Sequence, residues 1–146
     1  MKRSGELRRV VPLARWDRPL RPRGERKAPS VAGPSREVRA LVRARDGHAC
    51  VCCGTSIIEE PNAVQFRKPE RLGGSATPEN LITVLHACGE RINSWRDPMD
   101  EVRGYRLQPG DDPKLVPVSL TFSTESRVMV WLTRDGLLSF EPPPGA

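Results

Sequence analysis

The sequence has no hydrophobic run approaching the roughly 20 residues that a membrane-spanning helix needs. Its N-terminus has no apolar segment of the kind a secretory signal carries. Both absences point away from a membrane or an exported protein and toward the cytoplasm, that of a bacterial host if the chain is phage-encoded. Aromatic residues are scarce, with three Trp, three Phe and one Tyr among 146 residues, so the core must be modest. Acidic residues are few in the first 45 positions, where four face 14 Lys and Arg for a net charge of +10. The remaining 101 residues carry 10 basic and 14 acidic groups, a net of −4, and the whole chain is +6. A basic arm on a mildly acidic body is the asymmetry of a nucleic-acid-binding tail. Twenty of the 24 basic residues are Arg, which suits bidentate phosphate contacts, although a GC-rich genome produces the same bias. Pro and Gly, by contrast, are abundant at about 18% of the chain against a background of roughly 12%, which predicts much irregular backbone.

Residues 1–34 scatter five prolines among arginines and small residues, so neither helical nor strand periodicity survives. The segment reads as a disordered or extended arm. Its candidate phosphate-binding residues are Arg3, Arg8, Arg9, Arg15, Arg18, Arg21, Arg23, Arg26 and Lys27. Trp16, set among guanidinium groups, is a candidate for stacking on a base or docking into a partner. From Ser35 an N-cap and an apolar stripe of Val38, Leu41 and Val42, with Arg on the other face, predict a helix over 35–45. Asp46-Gly47 ends it, and Cys50-Val51-Cys52-Cys53-Gly54 forms a tight knuckle, preceded on a turn by an exposed His48. A hairpin is expected over 57–66, turning at Pro61-Asn62, then a Gly/Pro-rich loop over 67–79. A second helix is expected from Asn80 or Leu81 to Ser94. Short extended pieces are expected at 105–107 and 115–120, and Arg127–Leu132 pairs with Leu137–Phe140 across an Asp135-Gly136 turn. Trp95 and Trp131 are expected as core anchors. The fold class is α+β: an arm (1–34), a domain with the cysteine knuckle (35–104), a C-terminal β extension (105–141) and a tail (142–146).

Two half-motifs stand about 35 residues apart: Arg45-Asp46-Gly47-His48 with Cys50-x-x-Cys53, and Asn80-Leu81 leading to His86-Ala87-Cys88. Between them lie Val64-Gln65-Phe66-Arg67-Lys68-Pro69 and Gly73-Gly74. This order resembles the HNH endonuclease family, and within it the small versions in phages of high-GC bacteria. The resemblance runs over roughly residues 36–140, ending in Gly104-Tyr105, Asp112-Pro113 and Val116-Pro117-Val118. It implies a small ββα-metal domain stapled by a zinc knuckle, with a leading helix and a C-terminal hairpin.

The same resemblance places Gln65 where a metal-binding His or Asp is expected, Phe66 where the general-base His stands, and Gly89 where the last metal-binding His follows the knuckle. Only Asn80, the middle letter, is kept. Phosphodiester hydrolysis needs an activated water and a divalent cation on the leaving oxygen. A neutral amide, a phenyl ring and a glycine supply neither, so no catalytic metal is expected. Glu70, Glu79, Glu90 and His86 are the substitutes in sequence proximity. For a structural zinc the resemblance gives Cys50, Cys53 and Cys88, with Leu85 where a fourth cysteine would stand. His86 is the first replacement and Cys52 the alternative; a zinc-less core of free thiols is the competing arrangement. A disulfide framework does not fit a chain without export signals. Three functions follow. One is a catalytically degenerate HNH-like protein that binds nucleic acid or a nucleoprotein complex. Another is a protein–protein adaptor on a polymerase or DNA-packaging machine. The third is an active endonuclease with rearranged ligands.

Overall fold

A computed structural model describes residues 33–123 and 126–146. The nine candidate phosphate-binding residues of the arm, and Trp16, lie outside the described residues. Residues 33–123 and 126–146 form a mixed α and β structure with short helices and two small antiparallel sheets. Helix α1 (Arg36–Arg45) starts where Ser35 Oγ accepts the Val38 N–H at 3.2 Å, and it buries Val42. Its last residue does not face solvent. Arg45 turns inward, pairs with Asp46 (2.8 Å) and donates to the carbonyls of Pro78 and Leu81, both at 2.7 Å. Asp46 in turn accepts the Thr83 N–H at 2.8 Å. This buried pair fixes the end of α1 to the strand that follows the central loop.

Strand β1 (Asn62–Phe66) pairs with β2 (Leu81–Leu85) in antiparallel register, Val64 opposite Thr83 and Phe66 opposite Leu81. Helix α2 (His86–Asn93) follows β2 directly and rests on both strands. Two sequence expectations are corrected here. The helix starts at His86 and not at Asn80 or Leu81, because Ile82, Thr83 and Val84 are β-branched and their strand is buried along its length. Asn80 caps nothing; its side chain is used on the loop before it. The hairpin over 57–66 is also absent. Asn62 Nδ2 donates to the carbonyls of Ile57 (3.1 Å) and Glu60 (3.0 Å), curling that segment into bends and leaving β1 to pair with β2.

After a single turn of helix, α3 (Met99–Val102), residues 105–107 run as a buried irregular segment, not a strand. A second sheet has the order β3 (Val118–Ser123), β4 (Ser126–Leu132), β5 (Leu138–Ser139). The hairpin over residues 127–140 is present in the expected place, its turn closed by Gly136 N–H to Thr133 O at 3.1 Å. Core side chains from the knuckle, β2, α2 and the second sheet meet in one cluster that includes Tyr105, which donates to Val51 O at 3.3 Å. Neither Trp95 nor Trp131 anchors it: Trp95 is 42% exposed, and Trp131 is half-buried with Nε1 donating to Leu115 O. No helix among the described residues is long and apolar enough to cross a membrane.

Candidate metal centre and the neighbouring cleft

The knuckle lies between the two sheets. Val51 N–H donates to Thr83 O of β2 (3.0 Å), Thr121 N–H of β3 to Val51 O (3.1 Å), and Thr121 Oγ1 to Cys52 O (3.0 Å). Gly54 closes the turn at φ +75, where a side chain would press on the carbonyl of Thr121. Held this way, the sulfurs of Cys50, Cys53 and Cys88 lie within 4.8 Å of one another, Cys88 coming from the first turn of α2. Tetrahedral sulfur ligation at about 2.3 Å from a zinc ion requires sulfurs about 3.8 Å apart, so a small contraction of this trio meets the requirement. The Leu85 N–H donates to Cys50 Sγ at 3.3 Å, the kind of bond that supports a thiolate ligand.

Neither candidate for the fourth position lies within this group of three. Cys52 is buried beside them, but its sulfur does not join the three that lie within 4.8 Å of one another. His86, at the opposite end of that first turn, is exposed and stands outside the cysteine group. The neighbouring Cys52 thiol lowers the pKa of Cys50 and of Cys88. The same neighbours push Cys52 itself well up, and burial raises Cys53. All four cysteines are free thiols, Cys50 and Cys52 buried and Cys53 and Cys88 partly buried. Three cysteines close together can hold a metal ion, and the donor set, all sulfur, is of the type that suits zinc.

On the other side of α2 lies a cleft. Gln65 and Phe66 of β1, Arg71 and Asn93 line both of two adjoining hollows of about 570 and 320 Å³. Gln65 and Gly89 face each other so closely that a Cβ on Gly89 would come within 2.7 Å of Gln65 Oε1. Gln65 Nε2 donates across to Asn93 Oδ1 at 3.3 Å. Asn80, fully buried, spans the base of the loop: Oδ1 accepts Lys68 N–H (2.8 Å), and Nδ2 donates to the carbonyls of Lys68 and Ser75 (both 2.9 Å). Gly74 packs against Lys68 O so tightly that no side chain fits there. Among the proposed substitutes, only Glu70 lines the cleft. Glu90 and His86 are exposed on α2, and Glu79 is buried outside the cleft lining. Gln65, Phe66 and Gly89 together present no carboxylate and no imidazole, a set that does not fit a catalytic divalent cation.

One residue of structural weight was quoted in the motif and given no role. Arg67, fully buried, donates to the carbonyls of Gly104 (2.7 Å), Glu79 (3.1 Å), Pro113 (3.0 Å), Val116 (2.8 Å) and Pro117 (3.2 Å). Desolvation, aided by the nearby Arg45 charge, lowers its pKa to about 9, so it remains a cation at neutral pH.

The crowding at position 89 gives a testable outcome. Gly89→Ala is expected to change stability by less than about 1 kcal/mol, because the gain in helix propensity offsets the displacement of the flexible Gln65 amide. Urea denaturation of the two proteins measures it; a loss of several kcal/mol would mean that the Gln65 amide cannot move aside. Comparison with protein-family models, with curated proteins and with solved structures returns no match for this chain.

Proposed function

We propose that the chain is a catalytically degenerate HNH-like protein that carries a structural zinc and binds nucleic acid or a nucleoprotein complex, most plainly DNA, through its basic arm. The observation that carries this reading is the meeting of Gln65 and Gly89 across β1 and α2. They stand at the two positions where the resemblance expects metal ligands, with Asn80 clamping the intervening loop. The β1–β2–α2 arrangement supports a ββα scaffold whose charged ligands and base have been replaced. Residues 1–32 add ten basic against three acidic groups, net +7, enough to supply phosphate contacts.

The test is a plasmid incubated with the purified full chain in Mg²⁺, Mn²⁺ or Ni²⁺, beside a gel shift of the same preparation. Intact plasmid and a retarded band are expected. If about five arm charges neutralise phosphates, log affinity should fall with log salt at a slope of about −4 to −5, and deletion of the arm should flatten it. Metal-dependent nicking that disappears in Glu70→Gln would instead establish an endonuclease with rearranged ligands. The mildly acidic body favours a second reading, an adaptor for a protein of a polymerase or packaging machine. No gel shift even at low salt would leave that one standing.

A further inference from the structure

Trp95 occupies a position that its residue type does not favour. Helix α2 ends at Asn93, Ser94 caps it, and Trp95 follows with φ +57, in the left-handed region that closes helices and usually belongs to Gly or Asn. Conformational strain of this kind persists where the surroundings impose it, and it concentrates at binding sites. The burial of a hydrophobic ring does not account for it, since 42% of Trp95 is exposed. The indole is instead held as a platform. The Arg106 guanidinium lies 4.4 Å from the ring centroid and is itself fixed by Glu101 at 2.8 Å and by the carbonyls of Ile92 and Asp97. The Arg71 guanidinium stands 5.8 Å from the same ring, on an exposed side chain with no ion pair among the described residues.

Trp95 and Arg71 line the same hollow as Phe66, Gln65 and Asn93. Tyr105 and two arginines already bonded, Arg67 to backbone carbonyls and Arg106 to Glu101, complete the walls, which therefore offer three aromatic rings, two neutral amides and, in Arg71, one cation without an ion pair among the described residues. Glu70, on the outer hollow, repels a run of phosphates. A duplex backbone, which presents charge and no rings, matches this lining poorly. A nucleobase matches it well, because it has a π-face to stack and an edge of donors and acceptors for amides. The volume lies within the roughly 300–1,000 Å³ of small-ligand sites.

We propose that this cleft takes one unpaired nucleotide of a single-stranded nucleic acid, with the base stacked on Trp95, its edge on Gln65 and Asn93, and its phosphate on Arg71. The inference rests on the nucleic-acid reading above and adds a preference for unpaired strands to the unselective charge of the arm. The test uses the full chain with two labelled probes, an oligodeoxythymidine of about 12 nucleotides and a duplex of equal length, at fixed salt.

Trp95→Asn suits the left-handed position and should fold, as its melting temperature will show. It is expected to lose about 5- to 100-fold in affinity for the single strand and nothing for the duplex. Trp95→Phe should recover most of the loss. Arg71→Ala, an exposed substitution, should weaken single-strand binding and reduce its salt slope by about 0.7. Unchanged single-strand binding in both Trp95→Asn and Arg71→Ala, with the probes still bound, would overturn the cleft assignment and leave arm binding intact. Failure of the unaltered chain to bind either probe at low salt would overturn the nucleic-acid reading, and this inference with it.

Discussion

Replacement of Arg67 by Met is expected to remove about 3–5 kcal/mol of stability, a large part of what holds a domain of this size. The reasoning concerns what is left behind. A buried ion pair exchanged for an apolar group of similar volume is often tolerated, because both charges go. Arg67 has no carboxylate partner among the described residues to go with it. Its acceptors are five backbone carbonyls, from Glu79, Gly104, Pro113, Val116 and Pro117, and they remain after the side chain is removed. Each buried acceptor stranded without a donor costs on the order of 1–3 kcal/mol, reduced by whatever water enters. Four of these carbonyls lie in residues 104–117, so the guanidinium, with the Leu107 N–H bond to Arg67 O and the Lys68 Nζ bond to Asp111 O, fastens that stretch to the end of β1. Arg67→Lys is expected to do little better, since three donors on one nitrogen cannot reach five acceptors in the plane of a fork. Urea denaturation of the three proteins gives the comparison. A midpoint equivalent to less than about 1 kcal/mol below the unaltered chain would show that the carbonyls find other partners.

Arg67 also shows where the sequence was silent. An arginine is read as exposed by default, and nothing in Phe66-Arg67-Lys68-Pro69 marks one that will be buried. The same default misread Arg45, which is spent on Asp46 and two carbonyls instead of on solvent. Elements with strong local signals were legible. Ser35 with Val38 and Val42 located α1, and the apolar run ending at Leu132 with Asp135-Gly136 located the last hairpin. Helix α2 was legible only from its middle onward, because Asn80 before an apolar run looks like a cap. Its actual partners, Lys68 and Ser75, depend on a loop closure that no local pattern records. The Trp95 position was misjudged because hydrophobicity predicts burial, whereas its left-handed backbone and its arginine neighbours are tertiary facts. The cysteine group was legible as residues but not as a set: His86 was the first candidate for the fourth ligand, at a spacing tighter than a knuckle prefers, and Cys52 the alternative. The difference arises from the strand that precedes α2. With Leu81–Leu85 extended, His86 leaves the strand on the solvent side while Cys88 turns toward the knuckle.

That geometry sets the second large effect. The purified full chain is expected to contain about one zinc per molecule, and Cys52→Ser is expected to lower the zinc content while His86→Ala leaves it unchanged. The thiols of Cys50, Cys53 and Cys88 provide three donors, and a closed structural site needs four. Cys52 is buried in the same turn as Cys50 and Cys53 and is the chain's remaining cysteine, so it is the one sulfur left to complete an all-sulfur set. His86 would have to cross from the exposed face of α2, breaking its N–H bond to Pro61 O (3.0 Å) and the start of the helix with it. The energetic scale is large because structural zinc sites in small peptides contribute about 10–16 kcal/mol at neutral pH, comparable with or above the whole stability of a domain. The part of the core that the knuckle organises includes Val51 and Cys52 themselves, so metal removal should loosen the packing of Tyr105 and β3. Stripping with a strong chelator should therefore lower the melting temperature by about 10 °C or more, and Cys52→Ser should reproduce much of that shift without chelator. Leu85→Cys in the Cys52→Ser background supplies the decisive comparison. Its backbone N–H already donates to Cys50 Sγ, so a thiol there lies beside the trio, and it should restore zinc content. Metal analysis and thermal denaturation of these proteins decide the matter. Equal stability with and without chelator, and no zinc in the unaltered chain, would mean that the four thiols pack as a metal-free core.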